Sequence, residues 1–184
     1  MSFLAIVLVV SLVGVVLLFM LFAGRRPQGR GRQEAWAQIA NLIGGTARGR
    51  KVTGSYRGRA VDVSLQNHGY ETDLYYYHQI MKVGIRGFDW AVSFGETSFL
   101  NPTKGWHIKC GDEALRRRLA EAGAFELIEQ APGKPDVRYR ADKGTLEYSL
   151  CVVVDTYVPT PDEFETQLGL LARLADINEE LNVW

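Results

Sequence analysis

Residues 73–86 read DLYYYHQIMKVGIR. A β-strand turns successive side chains to opposite faces, so Tyr75, Tyr77, Met81, Val83 and Ile85 share one side and Leu74, Tyr76, His78 and Ile80 the other. Both sides are partly apolar, as in a strand with neighbours on either hand. The pattern predicts a long strand near the middle of a sheet.

Upstream, KVTGSYRGRAVDVSLQ (51–66) has strand-forming residues at 52–56 and 60–65, and Arg57-Gly58 supplies a turn, so this stretch predicts a hairpin. Before it, Trp36, Ile39, Ala40 and Ile43 follow i, i+3, i+4, i+7 spacing, the stripe of an amphipathic helix over 33–43 that Gly44-Gly45 ends. Downstream, FDWAVSF (88–94) alternates, with Phe88, Trp90, Val92 and Phe94 predicted inward. A loop over 95–105 and the short strand WHIKC (106–110) follow. Asp112 is placed to cap a helix whose Leu115, Leu119 and Ala122 line one face; Gly123 ends or bends it, and AFELIEQ adds a turn or two. Residues 137–154 predict a second hairpin turning at Asp142-Lys143-Gly144. Thr160, Pro161 and Glu163 form the signature of a capping box ahead of a closing helix, with Phe164, Leu168, Leu171, Ala175 and Leu181 on its buried side. The sum is an α+β fold: one domain over 33–184, an antiparallel sheet packed by two or three helices. Helix followed by hairpin occurs twice, at 33–65 and 112–154, as a duplicated unit would give.

Residues 3–22, FLAIVLVVSLVGVVLLFMLF, hold no charge. A helix of that length spans about 30 Å, the thickness of a bilayer's hydrocarbon core. A cleaved export signal has a basic start, a shorter apolar run and small residues at its exit; only Met1 and Ser2 precede this run, and Leu21 and Phe22 stand at its exit. The expectation is a retained transmembrane helix over 1–24, then a basic flexible linker over 25–32. Arg25, Arg26, Arg30 and Arg32 follow the run, and positive flanks stay on the cytoplasmic side. The expected location is therefore the cell membrane, single-pass, with the N-terminus outside and the α+β domain cytoplasmic. The four arginines are suited to anionic lipid headgroups, which attract basic residues held near the surface. Over 25–59 the chain carries about +8, and from 60 onward about −8. Two cysteines in 184 residues make no disulfide framework.

The helix IANLIGG behind Trp36, followed by VTGSYRGRAVDV, resembles uncharacterised bacterial domains that stand behind one or two membrane spans. In that pattern a short Trp-bearing helix and a Gly-Gly precede a G-x-Y-x-G-R-x-V hairpin, matched here by Tyr56, Gly58, Arg59 and Val61. GDEALRRRLAEAG and the final helix are similar to the same arrangement. The resemblance implies architecture and a membrane address, and carries no activity with it.

No catalytic, cofactor or metal site is predicted. On a strand, His107 and Cys110, three apart, face opposite ways, whereas zinc needs convergent ligands. Cys151 lies in an apolar strand, where a free cysteine packs as a small hydrophobe. His68 is assigned to a loop and His78 to the sheet. Neither a G-x-S-x-G elbow nor a phosphate-binding glycine loop is present. Tyr70, Tyr75, Tyr76 and Tyr77, near Phe88 and Trp90, are the candidate partner surface, because tyrosine offers contact area and a polar tip. Nucleic acid is not an expected partner, given the acidic remainder of the chain. The expected function is a non-catalytic interaction or accessory module at the membrane's cytoplasmic face. The alternative is a small-molecule or lipid-binding domain with a cavity between sheet and helices, and an enzyme ranks third.

Overall fold

The computed structural model describes residues 28–67, 75–84, 87–96 and 104–181. The chain divides into two compact units, residues 1–34 and 35–184. Of the first, only 28–34 are described, at the start of helix α1 (Gln28–Leu42). The second unit holds strands β1 (Thr46–Arg48), β2 (Lys51–Tyr56), β3 (Arg59–Asn67), β4 (Tyr75–Lys82), β5 (Trp90–Glu96) and β6 (Lys104–Cys110). Helices α2 (Glu113–Glu121) and α3 (Ala124–Glu129), strands β7 (Asp136–Arg140) and β8 (Thr145–Val152), and helix α4 (Pro161–Leu181) complete it.

The strands form one eight-stranded antiparallel sheet in the order β1-β2-β3-β4-β8-β7-β5-β6. Strand β4 is fourth of the eight, as its two-sided apolar pattern predicts. The two hairpins flank it, with β3 on one side and β8 on the other. The β5–β6 hairpin joins the outer side of β7 rather than the strand that precedes it in sequence.

Registry sorts the strand residues into two faces. Val52, Val61, Val63, Tyr77, Met81, Leu146, Tyr148, Val137, Tyr139, Trp90 and Val92 fall on one side, and all are buried in a single core with the helices. Onto that face α1 brings Trp36, Ile39, Ala40 and Ile43, and α4 brings Phe164, Leu168, Leu171 and Ala175. Each valine, leucine, isoleucine, phenylalanine or methionine among them contributes on the order of 1.5–3 kcal/mol by leaving water. Polar pins fix α4 on the sheet: Trp90 Nε1 donates to Asn178 Oδ1 at 3.0 Å, and Gln79 Nε2 donates to Gln167 Oε1 at 2.5 Å.

The glycine-bearing hairpin motif is explained by this packing. Arg57 and Gly58 both take positive φ, at 49° and 79°, the mirror-image turn that matches a hairpin's twist. A Cβ on Gly54 would lie 2.6 Å from Ile43 Cγ1 and 2.7 Å from its carbonyl oxygen, so only glycine lets the end of α1 approach β2 this closely. Arg59 leaves the turn to meet Asp176 at 2.9 Å and Glu179 at 2.7 Å on α4. These contacts, chiefly the hydrogen bond to Glu179, raise the guanidinium's pKa against the opposing effect of burial.

Several expectations are corrected. Helix α1 begins at Gln28, so residues 28–32 of the expected flexible linker are helical. Proline at position 27 is tolerated just ahead of a helix, and Gln28, Arg30 and Arg32 favour the helix while Gly29 and Gly31 oppose it. Phe88 is 54% exposed because β5 starts only at Trp90. Ala122 is exposed at the C-cap of α2, and the chain turns at Gly123 into α3, giving four helices among the described residues. The caps form as predicted: Leu115 N donates to Asp112 Oδ1 at 2.6 Å, Thr160 N to Glu163 Oε2 at 2.7 Å, and Glu163 N to Thr160 Oγ1 at 3.3 Å. The expected transmembrane segment lies outside the described residues. No helix among those described is long and apolar enough to cross a membrane.

Candidate functional site

Opposite the helices, the sheet turns out a polar surface. Strand β2 contributes Lys51, Thr53 and Ser55, and β3 contributes Asp62, Ser64 and Gln66. Strand β4 contributes Tyr76, His78, Ile80 and Lys82, β8 Glu147, Ser149 and Cys151, and β7 Asp136, Arg138 and Arg140. None of these is buried, whereas their neighbours of the other parity largely are. Ile80 is the one large aliphatic side chain on this face of those five strands.

Registry draws a row across the centre. Ser64 lies opposite His78, His78 opposite Ser149, and Ser149 opposite Asp136. One strand-pair further along, Glu147 faces Arg138, and on the other side Tyr76 faces Cys151. A hollow of about 240 Å³ is centred here, lined by Tyr76, His78, Asp136, Arg138, Glu147 and Ser149. His78 Nδ1 and Ser149 Oγ are 2.8 Å apart, and the Tyr76 ring stacks on the His78 imidazole with centroids 6.0 Å apart. The Asp136 carboxyl is raised above its usual pKa by partial burial, against the Phe94 backbone N–H and the charge of Arg138. The Tyr76 phenol is raised by the neighbouring Cys151 sulfur first and by burial second.

A serine–histidine contact is one part of a nucleophilic site; the base also needs a group that orients it. Registry puts Ser149 between His78 and Asp136, and two strand spacings separate β4 from β7 by about 10 Å. Asp136 is therefore placed against the serine rather than against the imidazole. As a recognition surface the arrangement is better matched. Arg138 stands beside Asp136 and across from Glu147 without closing an ion pair among the described residues, and hydroxyl, imidazole, guanidinium and carboxylate groups stand within one small area.

The residues singled out from sequence scatter. Tyr70 and His68 lie outside the described residues. Tyr75 is on the helix-covered face, where the Arg50 guanidinium sits 5.8 Å from its ring centre. Tyr76 is on the polar face. Tyr77 is fully buried, at 0% exposure, and belongs to the core rather than to a partner surface. Three consecutive tyrosines on a strand must alternate, so they never make one patch. Of the four arginines expected to meet lipid headgroups, Arg25 and Arg26 lie outside the described residues, while Arg30 and Arg32 fall in the opening turns of α1. His107 and Cys110 take opposite faces of β6, as their spacing predicts.

Sequence reasoning misses Ser149, Asp136, Arg138 and Glu147. Their alternation within 136–152 assigns them to one face. Nothing local, however, says that β8, some 70 residues downstream, lies against β4.

The chain was compared with family models, curated proteins and solved structures, and none of the three gives a match.

Proposed function

We propose that the protein is a single-pass, membrane-anchored interaction module whose docking surface is the helix-free face of the sheet. Residues 3–22 form the anchor, with the N-terminus outside the cell and the α+β domain in the cytoplasm. Arg25, Arg26, Arg30 and Arg32 hold the membrane-proximal end against anionic headgroups. One observation carries the docking role: five adjacent strands present polar and charged side chains on one face, and the helices of the described core pack on its reverse. The partner is a protein, matched through the mixed charges and hydroxyls around Ser149 and Arg138 rather than through an apolar patch.

Two experiments test this reading. Cysteines introduced one at a time at Ser2 and Gln28 are exposed to an impermeant thiol reagent on intact cells; labelling of the first alone is expected, and labelling of the second overturns the topology. For the docking face, a C-terminal tag captures partners from detergent extracts of Arg138→Glu and Ser64→Arg variants and of Arg173→Glu, an exposed position on α4. A partner lost from the first two and kept by the third supports the sheet face; the reverse pattern refutes it.

A further inference from the structure

Beside the hollow around Ser149 a wider one, of about 900 Å³, opens at the β5–β6 end of the sheet, and Arg138 lines both. Its volume is that of a ligand site. Registry explains its shape. Ala91 on β5 lies opposite Lys109 of β6 on one side and Arg138 of β7 on the other. All three have the parity of the helix-free face, since Trp90 and Val92, to either side of Ala91, are core residues. A single methyl group between two long cationic side chains leaves a trough, whose flanking strands stand about 10 Å apart. Arg140, two residues along β7 from Arg138, adds a third cation to the lining. Phe88, just ahead of β5, lines the same hollow and is 54% exposed.

The charge of this lining is unbalanced, unlike the mixed row around Ser149. Lys109, Arg138 and Arg140 are cationic, and Asp89 is the one carboxylate among the lining residues. Asp89 Oδ1 accepts from Ala141 N at 2.7 Å, so that carboxylate is engaged in holding the chain. Asp142, 3.4 Å from Arg140, and Glu147, across from Arg138, stand outside the lining. A concave surface lined by one sign of charge concentrates the opposite sign, and an exposed aromatic ring beside it offers apolar contact area.

We infer that this hollow takes a short acidic segment of the docking partner, with an apolar side chain beside its carboxylates. The carboxylates meet Lys109 and Arg138 across Ala91, and the apolar side chain lies on Phe88. The inference rests on the docking reading and names the chemistry of the partner at one end of that face.

The test is isothermal titration calorimetry of the peptide acetyl-Glu-Phe-Glu-amide into the full chain in phosphatidylcholine nanodiscs, with empty discs as the reference. The uncharged isostere acetyl-Gln-Phe-Gln-amide is the comparison. One acidic peptide per chain is expected to bind, with the isostere weaker by about tenfold, the scale of two exposed charge pairs. Lys109→Glu/Arg138→Glu abolishes binding, Phe88→Ser weakens it, and Arg173→Glu on α4 leaves it unchanged. No heat beyond that of empty discs overturns the proposal, as does binding that Lys109→Glu/Arg138→Glu leaves intact. An isostere that binds as tightly overturns the acidic class, and a Phe88→Ser variant of parental affinity overturns the apolar contact. The docking face is read separately through Ser64→Arg, on β3 and outside this hollow. A cellular partner lost from Ser64→Arg while the peptide fails to bind strikes this inference alone.

Discussion

At Gly54 and Gly169 the same substitution has opposite consequences. A Cβ at Gly54 meets Ile43 at 2.6 Å and has nowhere to go, because the contact includes backbone. Gly54→Ala is expected to cost about 1–3 kcal/mol, the usual penalty of overpacking. Gly169 sits inside α4, where an added methyl group would find nothing within 4 Å, so Gly169→Ala gains helix propensity and stabilises by about 0.5–1 kcal/mol. Urea denaturation of the two variants against the parent chain reads both signs. Equal destabilisation by the two would contradict the packing of α1 on β2. Part of this is legible in the sequence: a G-x-Y-x-G-R-x-V hairpin shows where glycines stand. Which glycine serves a turn and which a close approach depends on where Ile43 arrives, and that is a tertiary fact.

Elements with local causes are the legible ones. The α4 start follows from Thr160, Pro161 and Glu163, and the cap bonds form as that triplet predicts. Thr160→Ala should cost about 1 kcal/mol, seen as a lower urea midpoint, because one helix-end N–H loses its acceptor. An unchanged midpoint would mean that the box contributes nothing to anchoring α4. The β2–β3 turn, the stripe of α1 and the alternation of β5 are likewise readable, since each is written in neighbouring residues. Strand β1 is not, because Thr46, Ala47 and Arg48 are too few to show a period. The candidate site is the least legible. Its central row joins β4 to β8 and β8 to β7, and the polar residues on those strands become a site only when sheet order is known. The tyrosine run stands out for its composition, yet alternation sends Tyr76 to one face and buries Tyr77 on the other.

For the whole molecule, the buried tyrosines set a limit at high pH. Burial raises the phenol pKa of Tyr77, Tyr148 and Tyr157 above the ordinary value of 10.0. The folded state then keeps protons that the unfolded chain releases, so stability is undiminished below pH 10 and declines as pH rises above it. Cooperative loss of helix signal accompanied by a step in tyrosinate absorbance is the expected alkaline transition. Phenols that all titrate at their ordinary value while the fold persists would contradict the burial of this cluster. The same scale holds the functional claim, that the polar face of the sheet meets a protein partner while residues 3–22 hold the chain at the membrane. Its most direct test is site-specific photocrosslinking in intact cells, with the reactive side chain placed in turn at Ser64, Arg138 and Arg173 of the full chain. A light-dependent adduct of one defined mass from the two sheet positions, absent from Arg173 on α4, is predicted. An adduct from Arg173 with none from Ser64 or Arg138 would contradict it.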